Sequence, residues 1–174
     1  DIHYETFKPL ENLKLMEMEG TVFDIQPVEN CETHLFKFMK KLEVLKFARG
    51  TLLKLREGCL DELGNLRSLN FSDNNIDYID ENLFVNSRLL TILDLHGNHL
   101  YILSPKTFSC LINLVYLNLS FNFISYLSPQ IFEGSNKLET LYLHHNILLN
   151  IDAKLFMYKK HLTFLSLWGN PVIC

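Results

Sequence analysis

Leucines stand 24 residues apart at Leu42, Leu66, Leu90, Leu114, Leu138 and Leu162, and each opens a copy of one pattern, LxxLxLxxNxL, seen most fully in LVYLNLSFNFI at Leu114–Ile124. A fixed period of this size, held through six copies, means coils stacked into a solenoid, because a single unit cannot bury its apolar residues alone. With 174 residues and 48% hydrophobic content, the chain has enough apolar mass for one continuous core, and the repeats leave no room for a second domain. One elongated domain over residues 1–174 is expected.

Within the unit, apolar residues at positions 4 and 6 (Leu117, Leu119) alternate with outward ones (Tyr116, Asn118, Ser120), which is the period of a strand with one buried face. Stacked copies predict a parallel concave sheet of about seven strands, roughly 4.8 Å apart. Position 9 carries Asn74, Asn98, Asn122, Asn146 and Asn170, where the chain leaves the strand; an amide can serve the stranded backbone groups as both donor and acceptor. Position 19 carries Phe84, Phe108, Phe132 and Phe156, a second apolar column for a mostly irregular or short-helical convex side. The expectation is therefore an α/β-type solenoid. The N-terminal copies are less regular. Leu13–Phe23 is degenerate, with Met16 and Met18 inward and Thr21 on the ladder, and its spacing to Leu42 places five extra residues within Asp24–Leu35. In the Leu42 copy Gly50 replaces the ladder Asn and Leu60 replaces the Phe, which predicts a less rigid N-terminal third. Residues 1–12 read as an N-terminal cap or a half repeat, 13–161 as repeats, and 162–174 as the last repeat and the start of a C-terminal cap.

This spacing resembles the leucine-rich repeat family across the whole chain. The end, WGNPVIC at Trp168–Cys174, resembles the opening of the C-terminal cysteine cap of its animal extracellular members, such as Toll-like receptor ectodomains and insect leucine-rich immune proteins. The resemblance implies a secreted or ectodomain recognition module that binds a protein or a pathogen-derived ligand, of innate-immune or cell-surface receptor type. A disulfide-linked scaffold or non-catalytic subunit, tied to another chain through Cys174, is the alternative. The motif speaks strongly about fold and weakly about ligand.

The four cysteines are too few for a disulfide framework and lack metal-ligand spacing. With the insertion removed, Cys31 and Cys59 fall at positions 19 and 18 of successive repeats, which predicts a bridge between coils, against two separate thiols. Cys110 reads as a buried hydrophobe, and Cys174 as free or joined to another subunit. Two sequons, at Asn70 and Asn118, present their acceptors on the concave face; the alternative is that Asn-x-Ser arises by chance in such strands.

A formal charge of −4 and a pI near 6.0 argue against nucleic-acid or anionic-membrane partners. Lys46, Arg49 and Arg67 share the concave face with Glu17, Glu19 and Glu43. No apolar run is long enough to span a bilayer and no secretory leader is legible, so membrane insertion by this segment is not expected. His96 and His144 hold one unit position two strands apart, roughly 10 Å, too wide for one zinc site. His3, His34, His99 and His161 have no evident partner. No nucleophile constellation, nucleotide loop or carboxylate pair stands out, so no catalysis, cofactor or metal is expected.

The outward columns do change character along the chain. Lys46, Ala48, Asn70, Ser72 and Asp94 give way to Tyr116, Phe121, Tyr142, His144, His145, Phe164 and Trp168. An aromatic cluster of this size predicts a partner-binding surface on the C-terminal half of the concave face, with Tyr142 and Trp168 as anchors. The competing expectation is that a cap covers Phe164 and Trp168 while Tyr116 and Tyr142 stack on each other.

Overall fold

The computed structural model describes residues 4–20 and 36–172. Seven parallel strands, β1 (Leu15–Glu19), β2 (Val44–Ala48), β4 (Ser68–Asn70), β6 (Ile92–Asp94), β7 (Tyr116–Asn118), β8 (Thr140–Tyr142) and β9 (Phe164–Ser166), form one sheet in that order. Two short strands, β3 (Lys54–Leu55) and β5 (Tyr78–Ile79), pair in parallel on the flank. The 24-residue period becomes register, since Leu45, Leu69, Leu93, Leu117, Leu141 and Leu165 are successive cross-strand partners. The convex side consists of turns, with a 3₁₀ turn at Ala153–Phe156 capped by the Asp152 carboxylate; a second 3₁₀ helix, Tyr4–Leu10, precedes β1. Phe7 packs against the core.

Position 19 forms the convex half of that core. Phe84, Phe108 and Phe132 are almost wholly buried, with ring centroids 6.1 and 6.3 Å apart in sequence. Each such side chain contributes about 1.5–3 kcal/mol by leaving water. Leu60 holds the same place one coil earlier, fully buried, and Phe156 ends the row half-buried.

The Asn column binds each coil to the one before it. Asn98 donates through Nδ2 to the carbonyls of Phe71 (3.0 Å), Leu95 (3.0 Å) and His96 (3.2 Å), and its Oδ1 accepts the Ile76 N–H at 3.0 Å. Asn122 and Asn146 repeat this set one and two coils further on. Gly50 is more than a lost amide. A Cβ there would lie 2.8 Å from Asn74 Oδ1 and 2.9 Å from the Phe47 ring, so packing at this coil demands glycine.

Several sequence expectations need correction or fall elsewhere. Ser120, placed outward by alternation, is buried, as are Ser72 and Ala48 in the same column, whereas the larger Trp168 at that position is exposed: small side chains at position 7 are covered by their neighbours. Cys110 is a free thiol but only half-buried, with Ser109 Oγ 4.0 Å from its sulfur. His99 does have a partner, the Phe123 ring at 5.7 Å. Thr21, the insertion within 24–35, Cys31 (hence its bridge to Cys59), His3, His34 and Cys174 lie outside the described residues.

Candidate functional site: the aromatic half of the concave face

The site begins with a backbone feature that periodicity does not reveal. The eighth residue of every coil from Leu42 onward is left-handed: Arg49 (φ 54°), Asp73 (51°), Gly97 (63°), Phe121 (54°), His145 (51°) and Gly169 (71°). The cause is a hydrogen bond between coils. The N–H of residue 8 donates to the residue-7 carbonyl of the next coil, from Arg49 to Ser72 (3.0 Å), Asp73 to His96 (2.8 Å), Gly97 to Ser120 (3.0 Å), Phe121 to His144 (3.0 Å) and His145 to Trp168 (3.0 Å). Glycine takes this conformation freely, whereas Phe121 and His145 hold it at a cost of about 1–2 kcal/mol each.

That turn lifts the Phe121 and His145 rings beside the outward residues of β7, β8 and β9. All seven aromatic residues singled out in the sequence are brought together. Tyr142 meets Tyr116 at 5.6 Å, Phe164 at 4.9 Å and His144 at 5.6 Å between ring centroids. His144 lies parallel to Trp168 at 5.1 Å, and His145 sits between Phe121 (4.3 Å, stacked) and Trp168 (4.2 Å, edge-on). Gly169 makes room for this, since a Cβ there would come within 2.8 Å of His145 Nδ1. Trp168 is 63% exposed, Phe121 50% and Phe164 45%, so the surface is open to solvent; Tyr116, Tyr142, His144 and His145 form its half-buried floor. Burial, together with the neighbouring His145 and His96, holds His144 below the ordinary histidine pKa.

The N-terminal half of the face carries internally paired charges, with Leu15 and Ile92 exposed among them. Glu19 accepts from Arg49 (2.6 Å) and Lys46 (3.2 Å), and the Lys46 contact keeps its carboxyl below the usual range. Lys14 bridges Glu43 at 2.8 Å. His96 Nδ1 meets Asp94 Oδ1 at 2.9 Å and its Nε2 meets Asp73 Oδ1 at 3.5 Å, an approach permitted by Gly97, where a side chain would strike Asp73. The Asp94 hydrogen bond raises the His96 pKa against the opposing effect of burial. Tyr116 is pushed upward by burial and then by the Asp94 charge.

The sequon residues are half-buried and occupied. Asn70 Oδ1 accepts the Ser72 N–H at 2.9 Å, and Asn118 Oδ1 accepts the Ser120 N–H at 3.1 Å and its hydroxyl at 2.6 Å. Asp94 makes the same turn with the His96 N–H at 3.1 Å. A second apolar band lies on the flank after the ladder, where Tyr101, Ile102, Phe123, Tyr126, Ile147 and Leu149 are exposed. Their recurrence at positions 10, 12 and 13 is the sequence signal for this band, and it lies outside the strand columns to which alternation applies. Among the described residues no group of three or more His, Cys, Asp and Glu side chains is placed to hold a metal, and no helix is long and apolar enough to cross a membrane.

Parallel strands that display successive side chains on one open face, over a core of stacked coils, define a solenoid recognition scaffold. The family profile described as leucine rich repeat matches residues 40–100, 64–124, 88–148 and 112–172, and the chain belongs to that family. Such proteins are generally protein-binding and typically non-catalytic. Among solved structures, the chain is similar to TLR13 in its complex with ssRNA13, at 28% identity and a TM-score of 0.81 over 94% of this chain and 23% of that one. It is also similar to the leucine-rich repeat protein LIC12759 of Leptospira interrogans, at 27% identity and a TM-score of 0.82 over 97% of this chain and 40% of that one. The chain thus spans less than half the length of either. No curated protein matches it.

Proposed function

We propose that the chain is an extracellular recognition module that docks a protein on the aromatic half of its concave face, with Tyr142 and Trp168 as anchors. The observation that carries this reading is the seven-ring surface itself, contiguous and solvent-facing on one end of a sheet whose other end carries internally paired charges. Trp and Tyr in such clusters are favoured hot spots.

An innate-immune or cell-surface receptor role, with a protein or pathogen-derived ligand, draws support from the resemblance to Toll-like receptor ectodomains and from the partial likeness to TLR13. The secreted, glycosylated reading rests on the sequons at Asn70 and Asn118 and on the Cys31–Cys59 bridge expected from the sequence. A nucleic acid, the ligand in the TLR13 complex, fits this chain poorly. Its formal charge is −4, and the outward strand positions from Ile92 to Trp168 carry no Lys or Arg.

The test compares the parent with the Tyr142→Ala/Trp168→Ala double variant against a protein captured from extracellular fluid and then purified. Affinity is expected to fall at least about tenfold, roughly 1.4 kcal/mol, with the melting temperature unchanged. Equal affinity would move docking to the flank at Tyr101, Phe123 and Tyr126.

A further inference from the structure

We infer that the segment seated on the aromatic surface is cationic, an arginine-bearing stretch of a partner protein. This rests on the docking surface proposed above and names its chemistry. The outward strand positions of the four coils from Leu90 onward contain aromatic, histidine and small polar side chains together with the exposed Ile92, and the only carboxylate among them is that of Asp94. Asp94 directs both of its hydrogen bonds through Oδ1, to the N–H and the ring of His96, and its charge reaches Tyr116. On the other side, where β8 begins, Glu139 is exposed and forms no ion pair among the described residues. The difference from the N-terminal half is specific. There the residue at the same unit position, Glu43, is paired with Lys14, whereas the neighbours of Glu139 in that column are Val115 and Thr163.

Aromatic faces carry negative potential and attract cations, and a planar guanidinium can stack on them while donating to a carboxylate at its edge. A surface of rings flanked by acids therefore suits arginine. Asp94 is partly offset by its contact with His96, but an acidic segment or a phosphate chain would still face the unpaired Glu139 across outward strand positions that hold no Lys or Arg. Of the cations elsewhere on the face, Lys46 and Arg49 are engaged by Glu19, Lys14 by Glu43, and Arg67 lies within reach of the Glu43 charge. Because burial favours the neutral form of His144, that ring does not oppose an incoming positive charge at neutral pH.

Trp168 is the sole tryptophan of the chain, so its emission reports on this surface directly. The probes are an alternating Arg-Gly octapeptide, the same peptide with citrulline for arginine, a Glu-Gly octapeptide and an oligouridylate of matched length, each titrated at constant salt. The Arg peptide is expected to change Trp168 emission saturably. Citrulline replacement, Tyr142→Ala and Asp94→Asn should each weaken it about tenfold. Asp94→Asn keeps the local turn, because Asn70 and Asn118 make the same bond in neighbouring coils. An equal loss of charge on the convex side, Glu133→Gln, should leave affinity unchanged.

Equal binding of the citrulline peptide, tighter binding of the Glu peptide or oligouridylate, or no response to the Arg peptide at millimolar concentration would overturn the inference. If the Arg peptide fails while a captured protein still depends on Tyr142 and Trp168, the docking surface stands and its cationic chemistry falls. If the captured protein ignores both residues, the surface itself falls. Circular dichroism of each variant separates these outcomes from loss of fold.

Discussion

His144 and Trp168 lie face to face, with ring centroids 5.1 Å apart and planes 5° from parallel, while Ser166 Oγ sits 3.1 Å from His144 Nδ1. The folded chain favours the neutral imidazole, so its contribution to stability is complete above the unfolded histidine pKa and is lost as pH falls through that value toward the lower folded one. In a His145→Asn variant, which removes the other imidazole touching Trp168, acid quenching of Trp168 emission should have its midpoint below the ordinary histidine value. A midpoint at or above that value would mean that the ring is not desolvated.

His96 should show the opposite dependence. Its pKa is raised chiefly by the Asp94 hydrogen bond, so the stability it contributes is complete below the unfolded histidine pKa and is lost as pH rises through the raised folded value. Melting temperatures of the parent and Asp94→Asn, measured from about pH 5 to 9, should differ most at the acid end and converge above the histidine range. A gap independent of pH would assign the effect to the turn instead.

Asn122 serves two coils at once. Replacing it with Ala leaves the Leu100 N–H without its 3.0 Å acceptor and removes the donor shared by the Leu95, Leu119 and Ser120 carbonyls. The expected cost in urea unfolding is about 1–3 kcal/mol. Asn170→Ala should cost less, because Asn170 is only half-buried and its amide meets just two carbonyls, those of Leu143 and Leu167.

Gly50 interrupts the ladder, and restoring a side chain there should not help. Gly50→Ala is expected to destabilise by about 1–3 kcal/mol, as overpacking does, because Asn74 Oδ1 and the Phe47 ring already occupy the space. Thermal unfolding checks this, and a higher melting temperature would show that the coil can open to accept a Cβ.

The spacing of the leucines, the asparagines and the position-19 phenylalanines determined the parallel stack, its register and its two-sided core, because each depends on which residues recur and a repeat imposes the same answer on every coil. The membership of the aromatic surface was legible for a related reason, since strand alternation says which side chains leave the core. What the sequence could not say was how those side chains meet. The left-handed eighth residue exists because its N–H must reach a carbonyl in the next coil, as from Phe121 to His144, and no local propensity of phenylalanine favours it. The openings at Gly97 and Gly169, through which Asp73 reaches His96 and His145 reaches Trp168, concern space between coils. Alternation failed at Ala48, Ser72 and Ser120, where a small side chain in an outward phase is covered by its neighbours, although the large Trp168 in the same column is exposed. Periodicity assigns a residue to a column; only the contact of one column with the next decides its direction, its exposure and its charge.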